Sequence, residues 1–593
     1  MFRISAPARV GRVTATTLTL VTAILVAGPP AAAQVKQPTA VGTGGAVATA
    51  DLDATEAGIE ILRAGGNAVD AAVAAAAVLG VTEPFSCGIG GGGFMVIFRA
   101  EDGLVTTIDH RETAPAAMHP TSFWENDAPL PFNDARYSGL SAGVPGTVQG
   151  WADALTTYGT MSLADVLGPG IQVAREGFTV DPTFQSQVAA NVDYFDDITS
   201  TEALYLPGGA PPPVGSTFRN PDMALAYERI AHLGPKGFYR GAIADAMVGA
   251  AQAPPLDDEA NHVWRPGVMT MRDVNRYVAP EREPTLVGYR GLDVYGMGPP
   301  SSGGSTVGEA LNILEGWDLG ALPREQALHY YLEASRFSFA DRNAYLADPE
   351  YFDVPLEGLL SDSFAAERRA LIGETAATSP VAPGDPYDDQ GGAGSTGGAS
   401  VTVDKGETTT HLTVSDRWGN VVSYTFTIES TGGNGIVVPG WGFLLNNELT
   451  DFNFDSTTHP NRVEGGKRPR SSMSPTIVLD GGEPVLAVGS PGGSMIITTV
   501  LQILLNHLDF GMTLPDAVAA PRASQRNTTA SVAEPAFISA YGAALQARGH
   551  AFSSTAEIGA ATGIQFLPDD VVVAAAEPTR RGGGSAMVVT PAP

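Results

Sequence analysis

The chain of 593 residues is long enough for two or more ordinary domains or one large enzyme core, and its 44% hydrophobic content supports a buried interior. The formal net charge of -30 argues against partners such as nucleic acid or anionic membranes, whose charge would repel it. We interpret this charge as a solvated acidic surface that favours solubility. Because Cys87 is the single cysteine, the chain has no internal disulfide, and its stability must come from the core.

Residues 1–33 have the pattern of an export signal. Basic residues at Arg3, Arg9 and Arg12 precede the apolar run TLTLVTAILVAG, and small residues follow in PPAAAQ. We expect cleavage near Ala33 and a periplasmic or secreted protein. No later stretch reaches the about 18 to 20 consecutive apolar residues that span a bilayer, so we expect no stable membrane anchor.

Predicted helices and strands alternate along the chain. Alanine-rich or periodic apolar sequence predicts two packed helices within 50–84, broken at Gly65 and Gly66, an amphipathic helix at 324–346 and a helix at 494–511. Alternating apolar residues predict hairpins with turns at 101–103, 416–420 and 481–482. This mixture predicts a layered α/β architecture.

Residues 376–408 differ from the sequence on either side. They contain few large apolar side chains and many Gly, Pro, Ser and Asp residues. Such a composition predicts a mobile segment. Strand-like sequence begins directly after it, at THLTVSDRWGNVVSYTFTI.

Several familiar motifs are absent or out of context. GIGGGG at 88–93 fits the dinucleotide pattern GxGxxG, but a predicted helix precedes it and a strand follows it, so we expect close backbone packing there instead. The nine histidines show no metal-ligand spacing, and the pattern SxxK does not occur. We therefore expect no metal and no cofactor.

The turn at DRWGN (416–420) brings two threonines together. If the hairpin is centred on Trp418, Thr409 pairs with Thr427, and their hydroxyls are cross-strand neighbours. Threonine is also a favoured strand residue, so a purely structural pair is the alternative.

A threonine hydroxyl needs a base before it can act as a nucleophile. A threonine that becomes a new N-terminus supplies its own α-amino group, whose unperturbed pKa is about 7.7 to 8.0. Cleavage of the chain before Thr409, where the predicted mobile segment ends, would create such a residue.

The sequence resembles the γ-glutamyltranspeptidase (glutathione hydrolase) family of N-terminal nucleophile hydrolases. The resemblance rests on TTHLTVSDRWGNVVSYTFTIE (409–429), NNELTDF (446–452), KRPRSSMSPTIV (467–478) and GSPGGSMIITTVLQ (489–502). It also includes GGNAVDAAVA, DHRETAP, GVPGTVQGW, PPSSGG and FADRNAYLADPEY in the first half. Similarity thus extends from about residue 38 to near the C-terminus.

The resemblance implies a four-layer αββα sandwich and a precursor that cuts itself between Thr408 and Thr409. The products would be a large subunit, 34–408, and a small catalytic subunit, 409–593, that remain together as a heterodimer. The enzyme would cleave γ-glutamyl amides such as glutathione through an acyl-enzyme on Thr409. Water or an amino acid or peptide acceptor would then take the γ-glutamyl group.

The resemblance also implies a role for each site residue. It implies a catalytic nucleophile with a supporting hydroxyl, an oxyanion hole, a carboxylate clamp and an ammonium site. Thr409 would be the nucleophile and Thr427 its supporting hydroxyl, and Gly492 and Gly493 would form the oxyanion hole. Arg111, Ser471 and Ser472 would hold the substrate carboxylate. Glu448, Asp451 and Glu429 would hold the substrate ammonium.

Four features depart from the usual family pattern. Glu429 stands where many members have asparagine, Gly432 replaces a residue that is commonly aromatic, Arg470 replaces a leucine, and the segment 452–466 is short. We expect Gly432 to leave the pocket wall more open. Two alternative functions are a related cephalosporin or glutaryl acylase and a non-catalytic exported γ-glutamyl-binding protein. Retention of the arginine and both acids favours γ-glutamyl chemistry over the acylase, and the intact Thr409 argues against the binding protein.

Overall fold

A computed structural model describes Met1 and residues 35–390 and 408–592. The rest of the predicted export signal and residues 391–407 of the predicted mobile segment lie outside the described residues. Residues from Lys36 onward belong to one unit. Within the described part of the chain, no helix is both long enough and apolar enough to cross a membrane.

The described residues form twenty strands. They are β1 Thr39–Thr49, β2 Gly92–Arg99, β3 Leu104–Asp109, β4 Trp124–Glu125, β5 Ala128–Pro129, β6 Phe178–Thr179, β7 Thr217–Phe218, β8 Glu281–Arg282, β9 Thr285–Tyr289, β10 Leu292–Gly296, β11 Thr410–Asp416, β12 Val421–Thr427, β13 Thr476–Asp480, β14 Glu483–Gly489, β15 Ala523–Ser524, β16 Ser531–Ala533, β17 Phe552–Ser554, β18 Thr562–Leu567, β19 Val571–Ala576 and β20 Ser585–Pro591.

The same residues form twenty α-helices. They are α1 Leu52–Ala64, α2 Ala68–Thr82, α3 Phe132–Arg136, α4 Thr147–Tyr158, α5 Leu163–Glu176, α6 Pro182–Ala189, α7 Val192–Phe195, α8 Thr199–Tyr205, α9 Pro221–Leu233, α10 Lys236–Tyr239, α11 Ala242–Gln252, α12 Met271–Asn275, α13 Gly303–Leu314, α14 Arg324–Tyr345, α15 Leu356–Leu359, α16 Asp362–Ala370, α17 Pro386–Asp389, α18 Met495–Leu508, α19 Leu514–Ala519 and α20 Pro535–Ala547. Short 3-10 helices lie at Gly139–Ser141, Leu319–Ala321, Glu448–Asp451 and Arg580–Gly582.

Thirteen strands form one antiparallel sheet that folds back on itself. Its order is β8-β3-β2-β12-β11-β1-β19-β18-β14-β13-β10-β9, with β20 paired to β1. Strands β12 and β14 are in contact although they are not neighbours in the sheet, and so are β11 and β18. Hydrogen bonds cross this internal face, for example from Ser423 Oγ to the Val488 carbonyl oxygen at 3.3 Å. The two halves of the sheet are therefore two stacked layers.

Helices cover both outer faces of the stacked sheet. Helices α1 and α2 pack on β1, β11 and β12, and helices α13 and α18 pack on β9, β10 and β14. Each interface has its own apolar core. The α, β, β, α order of layers is the four-layer sandwich that the resemblance implies.

Helix α2 shows how sequence positions these layers. Asn67 caps its first turn and forms a capping box with Asp70. Every residue of α2 is buried, and most are alanine or valine, so the helix approaches the sheet closely. The carboxylate of Asp416, at the end of β11, accepts a hydrogen bond from the Ala68 N–H at 2.9 Å. This bond joins the start of α2 to the hairpin that follows Thr409.

The structure confirms most predicted elements. Helices α1 and α2, helix α18 and the three hairpins β2–β3, β11–β12 and β13–β14 lie where the patterns predict them. The glycines 90–93 pack closely against backbone, as expected: a side chain at Gly90 or Gly91 would collide with the carbonyl oxygen of Leu444 or Thr427. The helix at 324–346 is present as α14, but the predicted amphipathic character is wrong.

Helix α14 is buried on nearly all sides after its first turn. Its charged residues enter the interior because they find partners there. Arg336 Nε pairs with Glu333 at 3.0 Å, and Asp341 pairs with Arg368 Nε at 2.9 Å. Sequence periodicity treats each of these charges as a surface residue, whereas the fold pairs them.

The start of the segment 376–408 is held by hydrogen bonds. The Ala376 N–H donates to the Arg548 carbonyl oxygen at 2.7 Å, and the Val381 N–H donates to Asn527 Oδ1 at 2.8 Å. Residues 376–381 are thus joined to the folded unit at both ends, and the mobility of the whole segment stays a prediction.

Replacement of Gly91 by alanine tests the close packing of the glycine segment. The new Cβ would collide with the backbone carbonyl oxygen of Thr427. We therefore expect the free energy of unfolding to fall by about 1–3 kcal/mol and the midpoint of thermal unfolding to fall with it. Gly168→Ala in α5 is the matched control, because nothing lies within 4 Å of its added Cβ. Equal midpoints for the two variants would contradict the packing assigned to Gly91.

Candidate active site

The candidate nucleophile Thr409 lies at the start of the β11–β12 hairpin. Thr410 pairs with Phe426, and this register places Thr409 opposite Thr427. The Thr409 hydroxyl donates a hydrogen bond to Thr427 Oγ1 at 3.1 Å, and the Glu429 N–H donates to the same oxygen at 2.8 Å. The cross-strand pair predicted from the turn sequence is therefore confirmed.

The peptide bond between Thr408 and Thr409 is held on both sides. The Gly492 N–H donates to the Thr408 carbonyl oxygen at 3.2 Å, and Arg581 Nη1 donates to the Thr409 carbonyl oxygen at 2.7 Å. Thr409 has a φ of 96°, a conformation that non-glycine residues rarely adopt and that costs roughly 1–3 kcal/mol. Backbone strain and fixed orientation thus coincide at the bond that is predicted to be cut.

Gly492 and Gly493 lie immediately before α18. The N–H groups of Met495 and Ile496 each donate to one of their carbonyl oxygens at 3.1 Å. Gly492 has a φ of 129° and Gly493 a φ of 56°, so a side chain would strain either position. Backbone N–H groups at a helix N-terminus favour negative charge, which makes this loop suited to bind an oxyanion.

Arg111 is the centre of a buried ionic cluster. Its side chain is 1% exposed and pairs with Glu448 and with Asp451, the latter at 2.5 Å between Nη2 and Oδ2. Nε donates to the Pro469 carbonyl oxygen at 3.1 Å, and Nη2 donates to that of Arg470 at 3.2 Å. One guanidinium therefore joins the 3-10 helix Glu448–Asp451 to the segment that precedes the serine pair.

Glu429 connects this cluster to the nucleophile. Its carbonyl oxygen accepts a hydrogen bond from Thr408 Oγ1, and its carboxylate accepts one from Asn447, the residue before Glu448. Burial, together with the negative charge of Asp451, raises the pKa of Glu429 to about 7. Burial likewise raises the pKa of Glu448 well above its ordinary value. These carboxylates hold negative charge at a cost that a bound cation would offset.

Ser471 and Ser472 follow directly after the segment that Arg111 holds. The Met473 N–H donates to Ser471 Oγ at 3.1 Å, and Arg342 Nη2 donates to Ser472 Oγ at 2.6 Å. The structure therefore brings Arg111, its two acidic partners and the backbone leading into the serine pair into one cluster.

A cavity of about 520 Å³ opens beside the bond between Thr408 and Thr409. Its lining includes Thr408, Gly492, Thr431 and Arg581. The cavity thus borders the residue before the predicted cleavage point and the glycine loop that precedes α18.

Comparison with known proteins agrees with this geometry. The family model for gamma-glutamyltranspeptidase matches residues 54–587. The chain belongs to the γ-glutamyltranspeptidase family. Both the family and the fold class that the motifs imply are therefore confirmed.

Two relatives and one solved structure illustrate the range of this family. Glutathione hydrolase proenzyme of Bacillus subtilis (strain 168) is 40% identical over 519 residues, which are 85% of this chain and 86% of the relative. Acylase ACY 1 proenzyme of Pseudomonas sp. (strain V22) is 36% identical over 542 residues, 89% of this chain and 91% of the relative. The crystal structure of cephalosporin acylase from Bacillus halodurans has a TM-score of 0.81 at 29% identity and covers 95% of this chain and 99% of that one.

Two residues at this γ-glutamyltranspeptidase site were not identified from sequence. Arg581 contacts the Thr409 carbonyl and also pairs with Glu83 at 3.0 Å. Glu112 is fully buried beside Arg111, and burial raises its pKa to about 8. The arginine doublet in EPTRRGGG and the acid directly after Arg111 in DHRETAP are the features that could have indicated them.

The structure corrects the expectation for Gly432. Its N–H donates to the Phe85 carbonyl oxygen at 2.8 Å, and a side chain here would collide with the Phe195 ring. The position is buried, with a φ of 84°. Phe195 and Asn191 fill the space beside it, so the glycine does not open the pocket wall.

The other departures from the family pattern are packed into the interior. Arg470 Nη1 donates to the carbonyl oxygens of Arg342 and Leu346 at 3.2 and 3.5 Å, where α14 ends and a cation is favourable. Burial lowers the pKa of Arg470 to about 10. The short segment 452–466 contributes Phe454 to a small apolar cluster.

We predict that Arg581→Met slows both the cleavage before Thr409 and turnover, with kcat/KM reduced about 10- to 100-fold, because the nucleophile's carbonyl loses its donor. Gel analysis of the precursor and steady-state kinetics measure the two effects. Arg175→Met is the control: this exposed arginine pairs with Glu228 on the surface, and such pairs contribute little. Unchanged processing and kinetics in Arg581→Met would show that the contact is dispensable.

Proposed function

We propose that the protein is a self-processing γ-glutamyltransferase and hydrolase. The supporting observation is one continuous set of contacts. The Thr409 hydroxyl donates a hydrogen bond to Thr427, and the Thr408 carbonyl oxygen accepts one from Gly492. Glu429 is hydrogen-bonded to Thr427, to the Thr408 hydroxyl and to Asn447, which directly precedes Glu448 of the Arg111 cluster. A nucleophile, an oxyanion donor and a site with both signs of charge are the parts needed to cleave a γ-glutamyl amide.

In self-processing, Thr409 Oγ1 attacks the carbonyl carbon of Thr408. The oxygen that gains negative charge already accepts a hydrogen bond from Gly492. Collapse breaks the C–N bond, and the Thr409 nitrogen takes up a proton to become an amine, which leaves an ester on Oγ1. Water hydrolyses this ester, and the chain is then cut with a free α-amine on Thr409.

In turnover, the new amine acts as the base for its own hydroxyl. An unperturbed α-amine has a pKa of about 7.7 to 8.0, so a useful fraction is neutral near pH 7.5. The hydroxyl attacks the γ-carbonyl of the donor, the leaving amine takes the proton, and a γ-glutamyl ester forms on Thr409. Water or the amino group of an acceptor amino acid or peptide attacks this ester and restores the hydroxyl.

The ionic cluster fits the head group of the donor, which has an α-carboxylate and an α-ammonium. The Arg111 guanidinium and the hydroxyls of Ser471 and Ser472 are donors suited to the carboxylate. Glu448 and Asp451, with Glu429 nearby, are acceptors suited to the ammonium. No metal or cofactor takes part in these steps.

An acylase for substrates without an α-amino group is the second candidate, since a relative named as an acylase covers most of the chain. The acids around Arg111 favour the γ-glutamyl donor, because an acyl group without an ammonium would leave their charge unmatched. A γ-glutamyl anilide and the corresponding glutaryl anilide, assayed with and without glycylglycine, distinguish the two. Faster cleavage of the glutaryl compound would favour the acylase.

The remaining proposals concern processing and location. We propose that residues 34–408 and 409–593 form a heterodimer after cleavage, and that the sequence at 1–33 directs export to the periplasm or medium. The relatives are named proenzymes, which supports the processing step.

We predict that Thr409→Ala remains one chain of full mature length and has no activity on the γ-glutamyl anilide, since it lacks both nucleophile and new amine. Thr409→Ser keeps the hydroxyl and should be cut, although more slowly. Denaturing gels and N-terminal sequencing of the small fragment measure the outcome. Cleavage of Thr409→Ala at the same junction would refute the assignment of the nucleophile.

We predict that the donor KM falls as pH rises from about 6 to 8. Because the pKa of Glu429 is raised to about 7, its carboxyl is neutral below that pH and pairs with the donor ammonium only above it. In Glu429→Gln the KM should be higher and should no longer fall over this interval. Identical KM profiles in the two enzymes would exclude Glu429 from the ammonium site.

A further inference from the structure

Arg342 lies directly behind the serine pair. It belongs to α14 and is 3% exposed. Its Nη2 donates to Ser472 Oγ at 2.6 Å, and its Nε donates to Ser302 Oγ at 2.8 Å. Ser302 Oγ in turn donates to the Ser471 carbonyl oxygen at 2.5 Å. The Arg342 guanidinium therefore contacts the side chain of Ser472 directly, and it is connected to the backbone of Ser471 through Ser302.

The direction of these hydrogen bonds determines what Ser472 can bind. A guanidinium has only donors, so Ser472 Oγ must be the acceptor of the bond from Arg342. The single hydroxyl hydrogen of Ser472 then points away from Arg342 and needs an acceptor elsewhere. A carboxylate has only acceptors, so it is a matched partner for this hydrogen.

The Ser471 hydroxyl oxygen is also a hydrogen-bond acceptor, but its donor is a backbone N–H and not an arginine. Its Oγ accepts the Met473 N–H at 3.1 Å, so its hydroxyl hydrogen is also left to donate. Each of the two hydroxyls therefore has a hydrogen to donate, and an anion is a better matched partner for such a group than a ligand that offers only donors.

The segment 469–472 is held from two directions. Arg111 binds the carbonyl oxygens of Pro469 and Arg470, and Arg342 binds the side chain of Ser472. Arg470 adds a further link, because its Nη1 donates to the Arg342 carbonyl oxygen at 3.2 Å. The position of the serine pair thus depends on two arginines that lie 231 residues apart in sequence, from 111 to 342.

We propose that Arg342 is a positioning residue for donor recognition, which fixes Ser472 as a hydrogen-bond donor to the α-carboxylate of the γ-glutamyl group. This inference rests on the proposed function. It assigns Arg342 no contact with the reacting atoms and no part in the cleavage before Thr409, since the precursor presents no α-carboxylate at that step. Loss of Arg342 should therefore weaken binding of donors with an α-carboxylate selectively.

The test compares two anilides that differ in one group. The γ-glutamyl anilide has the α-carboxylate, and the 4-aminobutyryl anilide lacks it but keeps the amine. For Arg342→Met we expect a KM for the γ-glutamyl anilide raised about 10-fold or more, a kcat within about 3-fold of wild type, and normal processing. The kcat/KM for the 4-aminobutyryl anilide should change less than about 2-fold. Arg63→Met, at an exposed helix position, is the control and should match wild type with both anilides.

Two further variants separate positioning from general packing. Arg342→Lys keeps a hydrogen-bond donor, so its KM for the γ-glutamyl anilide should lie between those of Arg342→Met and wild type. Arg342→Met combined with Ser472→Ala should raise the KM for the γ-glutamyl anilide by clearly less than the product of the two single effects, because the arginine acts mainly through that hydroxyl. Equal losses on both anilides, or additive losses in the double variant, would overturn the proposal.

If Arg342→Met stays uncut, Ser302→Ala and Arg342→Lys provide the same comparison, since each weakens the network without emptying the space. A rise in KM restricted to the γ-glutamyl anilide would support the proposal, and an unselective change would overturn it. Wild-type enzyme without activity on either anilide would instead refute the proposed function, and this inference with it.

Discussion

The register of β11 against β12 is the constraint on which the site depends. Side chains alternate between the faces of a strand, so a shift of one residue would turn Thr409 away from Thr427. The register is fixed at the far end of the hairpin, where Asp416 accepts hydrogen bonds from the Asn420 N–H at 3.1 Å and from the Ala68 N–H of α2 at 2.9 Å. Turn chemistry and a helix start thus decide which hydroxyl lies beside the nucleophile.

The site also depends on charged side chains that are already buried and paired in the absence of substrate. Arg111 offsets part of the negative charge of its two acidic partners in the interior, which lowers the cost of keeping these charges away from water. The same pairing fixes the groups in place, so little reorganisation is needed when a zwitterion binds. Glu429, with a φ of 78°, donates its backbone N–H to Thr427, the partner of Thr409, and its carboxylate accepts a hydrogen bond from Asn447, the residue before Glu448. One residue therefore contacts both the threonines at the predicted cleavage point and the segment that carries Glu448.

Sequence patterns predicted the local elements well and burial less well. The break at Gly65 and Gly66, the glycine turns and the alternation in β11 and β12 are local features, and each element formed where its pattern lay. Helix α14 shows the limit. Its charges at Glu333 and Asp341 indicate a solvated face, but Glu333 is buried with Arg336 of the same helix, and Asp341 is buried with Arg368, which the fold brings from α16. Whether a charge is exposed depends on partners that periodicity cannot identify.

The sequence by itself determined the type of chemistry: the Thr409–Thr427 pair follows from one turn, and the family follows from several long motifs in order. Tertiary structure alone decided which distant groups contact that pair and the serines of the candidate site. Arg581 reaches the Thr409 carbonyl across 172 residues of sequence, and Arg342 reaches Ser472 across 130. The physical reason is that the register of a hairpin depends on residues close together in sequence. The donor that reaches a given oxygen comes from a distant part of the chain, and only the packing of the layers determines which donor that is.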